Sequence, residues 1–250
     1  STDKEEQYSY ISLAKERGYD VLLMDGQLDT HFINSLEYKL GNVEFKRVDA
    51  DVIDKLIEKG DNRVDKLSEK DKRHLRKIFR AYLRKGNYSI EIESLVDDDM
   101  PIVVTKPEFM RRMKDMSALT GGMYGEFSDQ VNIVLNGNHK LIESILNDKS
   151  EKIGSKLEEL EKIIEPIEQE IREIDNNKDE STKELDKQKK EKLLEELKEK
   201  EKERDRLIED YAKENVLVKQ LIDLGLLSQG MLKGEDLMQF IKRSVAIINK

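Results

Sequence analysis

Residues 153–174 read IGSKLEELEKIIEPIEQEIREI. Ile153, Leu157, Leu160, Ile164, Ile167, Ile171 and Ile174 fall at steps of 4, 3, 4, 3, 4 and 3. An apolar residue every 3.5 positions over three heptads marks a helix with a narrow seam. Residues 175–180 are polar and loop-like, and Ser181-Thr182-Lys183-Glu184 is a capping box that opens a second helix. That helix keeps the spacing in Leu193, Leu197, Lys200, Arg204, Leu207 and Tyr211, with two cations in the middle of its seam. Two helices of matching period joined by a short loop fold most simply as an antiparallel coiled-coil hairpin. Pro166 lies inside the first helix, where proline removes a hydrogen bond and costs about 3 kcal/mol, so a kink is expected there.

Outward from the hairpin the composition changes. Residues 150–210 hold 15 basic and 22 acidic side chains, out of 45 and 54 in the whole chain of 250. Most of the net charge of −9 therefore sits in one segment that looks inserted into ordinary globular sequence. With 40% charged residues the chain is too polar for one compact core, and with 37% hydrophobic residues it is too apolar for a disordered one. Zero cysteines exclude a disulfide scaffold, cysteine-ligated zinc and thiol catalysis. The acidic balance argues against nucleic-acid binding. Short apolar runs exclude a transmembrane span, and the opening STDKEEQYSY is not a signal peptide, so a cytoplasmic location is expected.

Upstream, residues 5–17 read as a helix ended by Gly18, residues 19–24 as a buried strand, and Asp29 as the cap of a helix carrying Phe32, Ile33, Leu36 and Leu40. Residues 43–48 alternate as a strand should, completing a small βαβ unit. A short helix over 51–59 and a boundary at Gly60-Asp61-Asn62 follow. Ser68, with Asp71 three residues on, starts a helix carrying Leu75, Ile78, Phe79, Tyr82 and Leu83. Residues 88–96 and 100–105 read as two strands joined in a hairpin by Asp97-Asp98-Asp99, and residues 131–136 as a third strand. Downstream, Leu217, Leu221, Ile222 and Leu224 mark a helix ending near Gly225. Leu237, Phe240, Ile241, Val245 and Ile248 mark a terminal one. A stripe that runs so close to the chain's end is expected to pack on its own domain or on a second copy.

No catalytic constellation is visible. Asp25 and Asp29 are spaced wrongly for an aspartate-nucleophile loop, three adjacent aspartates cannot all face one cation, and His31, His74 and His139 are isolated. There is no phosphate-cradling glycine motif, and no metal site is expected. One stretch stands apart. Thr105-Lys106-Pro107-Glu108 is a strong helix start, and five of eight methionines lie between Met100 and Met123. Helical spacing puts Phe109, Met110, Met113 and Met116 on one broad face, with Leu119 beyond. Methionine is over-used at promiscuous binding surfaces, although a Met-rich core helix has the same pattern.

Pro107-Glu108-Phe109-Met110-Arg111-Arg112-Met113-Lys114-Asp115-Met116, then Gly121-Gly122, then residues 132–142 (NIVLNGNHKLI), resemble the C-terminal domain of bacterial ninety-kilodalton heat-shock chaperones. Residues 18–25 and 29–33 resemble the end of that family's middle domain. The resemblance covers 1–149 and 211–250, and 150–210 departs from it. It implies an α+β chain: a βαβ end of the middle domain at 1–60, then a mixed helix and three-strand C-terminal dimerisation domain at 61–250, interrupted by the hairpin. It also implies a homodimeric, ATP-dependent, heat-shock chaperone of unfolded proteins. That family's nucleotide and Mg site lies upstream, so no cofactor and no enzymatic activity are expected in this chain. The implied client-contacting residues are Phe109, Met110, Met113, Met116 and Leu119. The implied dimer interface is Leu217, Leu221, Leu224, Leu237, Phe240, Ile241, Val245 and Ile248. The competing reading is a coiled-coil adaptor acting through the hairpin. The hairpin is expected to close on itself; on the chaperone reading its deletion leaves folding and dimerisation intact, and on the adaptor reading it costs the chain its partner.

Overall fold

The computed structural model describes residues 8–16, 18–24, 26, 28–48, 66–83, 87–95, 100–105, 107, 130–176 and 183–249. It is a mixture of helices with one small three-stranded sheet. Two units divide it: residues 1–66, 83–140 and 221–250 form one, and 67–82 with 141–220 the other.

The first unit holds the sheet. Strands β1 (Asn87–Glu93), β2 (Ile102–Thr105) and β3 (Gln130–Asn136) lie in the order β1-β3-β2. β3 is central because it is the most apolar of the three, with Val131, Ile133, Val134 and Leu135 all buried. β1, with exposed Glu91, takes an edge and runs parallel to β3, Ile90 opposite Ile133. β2 takes the other edge antiparallel, Val104 opposite Ile133. The hairpin expected between β1 and β2 is therefore corrected. The last strand in sequence inserts between them, since only the strand buried on both flanks needs two hydrogen-bonded neighbours.

The same unit contains α1 (Tyr8–Glu16) and α2 (Asp29–Leu40). The two strands expected around α2 are not strands. Residues 19–24 and 43–48 join no ladder, and Leu22 and Leu23 are 66% and 61% exposed. A strand is held by its neighbours, and among the described residues none lies alongside. The Phe45 amide instead donates to Glu37 Oε1 on α2 at 2.7 Å. Asp29 is likewise not the cap; it sits in the first turn and accepts from the Gly26 amide at 2.7 Å. The helix expected at 51–59 lies outside the described residues.

The second unit is helical. α3 (Glu69–Arg80) starts as expected, Ser68 Oγ accepting from the Asp71 amide at 3.1 Å. α4 (Lys140–Asn176) and α5 (Lys183–Glu214) are the hairpin helices. Leu157, Leu160, Ile164, Ile167 and Ile171 are buried as the heptad spacing requires. Pro166 does not end α4; it lies on the exposed face, where water can take the carbonyl it leaves unpaired. On α5 the seam drifts by one position: Ile208 is fully buried and Leu207 only half. The expectation of a self-contained hairpin is corrected, because α3 packs on α5 and its side chains reach α4 as well.

The chain continues through α6 (Val216–Ser228) and α7 (Gly234–Ile248). Gly225 does not end α6. A Cβ there would come within 2.8 Å of Val104 Cγ2, so glycine permits close approach to β2. The helix ends at Gly230 instead. Its φ of +64° lets its own amide reach Leu227 O and the Met231 amide reach Leu226 O, both at 2.9 Å.

Candidate functional site

Among the described residues, α7 presents an exposed apolar stripe. Glu235 and Asp236 in its first turn favour the helix N-terminus. Arg243 donates to Asp223 on α6, tying the two helices. Yet α7 buries no residue at all. Ile241, Val245 and Ile248 are 49%, 52% and 81% exposed, with Met238 and Ile247 beside them. Leu237 and Phe240 are half-buried. On α6, Leu217 is half-buried and Leu224 exposed, while Leu221 is buried and belongs to the chain's own core. The eight residues expected at a dimer interface thus divide: Leu221 is consumed internally, and most of the rest remain available.

The expected client-contacting residues, Phe109, Met110, Met113, Met116 and Leu119, lie outside the described residues. Pro107, at the start of their segment, is half-buried, and Thr105 ends β2 with its side chain buried.

A second concentration of chemistry is buried in the helical unit. His74 is 2% exposed, with Nε2 3.2 Å from Glu161 Oε1 and Nδ1 3.4 Å from Lys149 Nζ. A carboxylate can only accept and an ammonium can only donate, which fixes the neutral ring with its proton on Nε2. Burial, helped by the Lys149 charge and opposed by Glu161, pushes the His74 pKa down to about 4. Lys149 also donates to Asp71 Oδ1 at 3.0 Å. Burial works to raise Asp71, but its bonds from Ser68 and Lys149 outweigh that and hold it below its ordinary value. Glu161 is ringed at 3.8–4.0 Å by Lys70, Arg73 and Arg204. Arg204, 1% exposed, donates to Glu201 at 3.1 Å and Asp205 at 3.2 Å.

Nearer the base of the hairpin, Tyr211 Oη lies 2.9 Å from Asp148 Oδ2, and Asn215 Nδ2 donates to both. Burial, then the Asp148 charge, raises the Tyr211 hydroxyl, which stays protonated. Asn215 Oδ1 accepts from the Val218 amide at 3.2 Å and so caps α6. Sequence reading left His74 as an isolated histidine, because its carboxylate partner is 87 residues away. The one available signal was a cation, Arg204, at a seam position. These groups are paired with one another in charge and wrapped in helix, although Glu161 Oε2 and Arg204 Nη1 lack a hydrogen bond, so the arrangement reads as structural. No set of three or more metal-ligating side chains occurs among the described residues, and no helix there is long and apolar enough to cross a membrane.

The chain is 38% identical over 257 residues to the chaperone protein HtpG of Bacteroides fragilis strain 638R. It is 40% identical to that of Porphyromonas gingivalis strain ATCC 33277 and 36% to that of Bacteroides thetaiotaomicron. In each case 99% of this chain is matched. The chain belongs to the HtpG heat-shock chaperone family. It spans 38% of the length of these HtpG relatives. With 99% of the chain matched, the charged hairpin falls inside the stretch aligned with HtpG. No family model and no solved structure matches the chain.

Proposed function

We propose that this chain is the C-terminal part of an ATP-dependent cytoplasmic chaperone, that it pairs two protomers through α6 and α7, and that it offers the segment from Pro107 onward to unfolded clients. On this reading residues 1–60 complete a middle domain and 61–250 form the dimerisation domain. The chain itself carries no nucleotide or Mg site and no enzymatic activity. Similarity to HtpG along nearly the whole chain carries the chaperone assignment. The exposed stripe of α7 supports pairing with a second copy. Burying a Leu- or Ile-sized side chain contributes roughly 1.5–3 kcal/mol, and a self-complementary patch supplies each such residue twice. The same similarity leaves the adaptor reading without an observation of its own.

Sedimentation equilibrium tests the pairing. The unaltered chain should have the mass of two copies. Ile241→Asp with Val245→Asp should have the mass of one at unchanged helix content. A parent chain that is monomeric at tens of micromolar refutes it. Changing Met110, Met113 and Met116 together to Ser should weaken suppression of client aggregation while mass and melting stay the same. If that variant unfolds, the three methionines are core and the client reading fails.

A further inference from the structure

The seam of α4 repeats itself every seven residues. Leu157, Ile164 and Ile171 form one series; Leu160, Ile167 and Ile174 form the other. Sliding α5 along α4 by one heptad, about 10 Å at the α-helical rise, presents the same apolar spacing to α4 again, apart from Lys200 and Arg204 on α5. Hydrophobic burial therefore separates the two registers poorly. The buried charges do not repeat in this way. Seven residues from Arg204 in either direction lie Leu197 and Tyr211; seven before Glu161 lies Gly154. One slip leaves Glu161 against Leu197. The other hands Arg204 to Glu168 and leaves Glu161 against Tyr211. In both, Glu161 loses the Arg204 guanidinium 4.0 Å away and keeps only Lys70, Arg73 and His74 of α3, an outcome that hydrophobic contacts do not offset.

We propose that Glu161, His74 and Arg204, one from each helix of the unit, form a register lock that holds the charged hairpin in a single alignment on α3. His74 is suited to the part. Lys149 and Glu161 stand three turns apart on α4, and the imidazole spans the gap between their tips, bonded to both. It thereby fixes where α3 lies along α4, and Lys77 to Asp205 fixes α3 against α5. Glu161 Oε2 and Arg204 Nη1 make no hydrogen bond although both are buried. The group is thus poor at adding stability and good at distinguishing alignments, the division of labour known for isolated polar residues in coiled coils. The lock is a property of the helical unit and does not depend on the chaperone reading.

The chain has no cysteine, so introduced pairs report without background. Glu170 and Lys189 form an ion pair at 2.5 Å across the hairpin, so Glu170→Cys with Lys189→Cys reports the observed register. Glu170→Cys with Glu196→Cys and Ile163→Cys with Lys189→Cys report slips of one heptad in the two directions. With a short bifunctional maleimide, the otherwise unaltered chain should cross-link only the first pair. In a His74→Leu, Glu161→Leu, Arg204→Met background, at least one slipped pair should cross-link to an extent comparable with the first, with helix content retained. A folded triple variant that links only the observed pair overturns the proposal. If the triple variant does not fold, Glu161→Gln takes its place. It should raise the slipped product at least severalfold, and no rise overturns the lock equally.

Discussion

α4 and α7 carry the same kind of apolar stripe and end differently. In α4 the stripe is buried within the helical unit, and Ile164 is 1% exposed. In α7 no residue is buried among the described residues, and Ile241, Val245 and Ile248 are about half exposed or more. Amphipathic spacing reports that a helix has a partner; it carries no information on whether that partner is in the same chain.

The largest effect should come from placing a charge in each stripe. Ile164→Asp sets a carboxylate in a dry seam at a cost of several kcal/mol. It should abolish the cooperative melting of the helical unit followed by circular dichroism. Val245→Asp should leave the helical signal intact and change only the mass of the particle. Loss of folding in Val245→Asp breaks the contrast, since α7 would then be packed internally.

Gly225→Ala asks how tightly α6 sits on the sheet. The new methyl would meet Val104 Cγ2 at 2.8 Å. Overpacking of about 1–3 kcal/mol should exceed the gain in helix propensity of about 1 kcal/mol. The urea midpoint should therefore fall, and a raised midpoint shows a looser contact.

Acid should weaken the helical unit in particular. Unfolded histidine takes up its proton near pH 6.5, but His74 does so only near 4. Between these values the unfolded chain binds more protons, so stability falls as pH drops from about 6.5 to about 4 and this contribution then levels off. Asp71, whose carboxyl is held low, extends the loss below its ordinary value of 3.8. Amide protection factors, corrected for the intrinsic pH dependence of exchange, should therefore fall in α3, α4 and α5 across the first window. His74→Gln should flatten that response, and an undiminished response assigns it to other groups. The smallest effect is at the start of α3. Ser68→Ala removes the cap and should lower stability by about 1 kcal/mol, with little change if water replaces the hydroxyl.

The sequence made the long helices, the cap at Ser68 and the three strands legible, because each is written in local period or capping chemistry. Strand order was not legible. Asp97-Asp98-Asp99 has hairpin composition, yet the choice of neighbour belongs to β3, whose buried run begins more than thirty residues later. The strands read at 19–24 and 43–48 failed for a related reason: alternation describes a strand only when another lies beside it. For the interaction surface, most of the α7 stripe is exposed, but Leu221 was grouped with it because periodicity cannot tell an inward-facing leucine from an outward-facing one. The buried charge cluster was missed, because its members are scattered from Lys70 to Arg204 and meet only in three dimensions.

The central position of β3 has a consequence for synthesis on the ribosome. β1 is complete at Glu93, and its one hydrogen-bonded neighbour among the described residues begins at Gln130. At about 5–20 residues per second, the intervening stretch takes roughly 2–7 s to translate. For the part of that interval after Thr105 both eventual edge strands exist without the strand that joins them, and their backbone groups are open to pairing with other nascent chains. Glu91 and Glu93 on β1 then serve before the fold exists, by keeping an unfinished edge charged until its partner emerges.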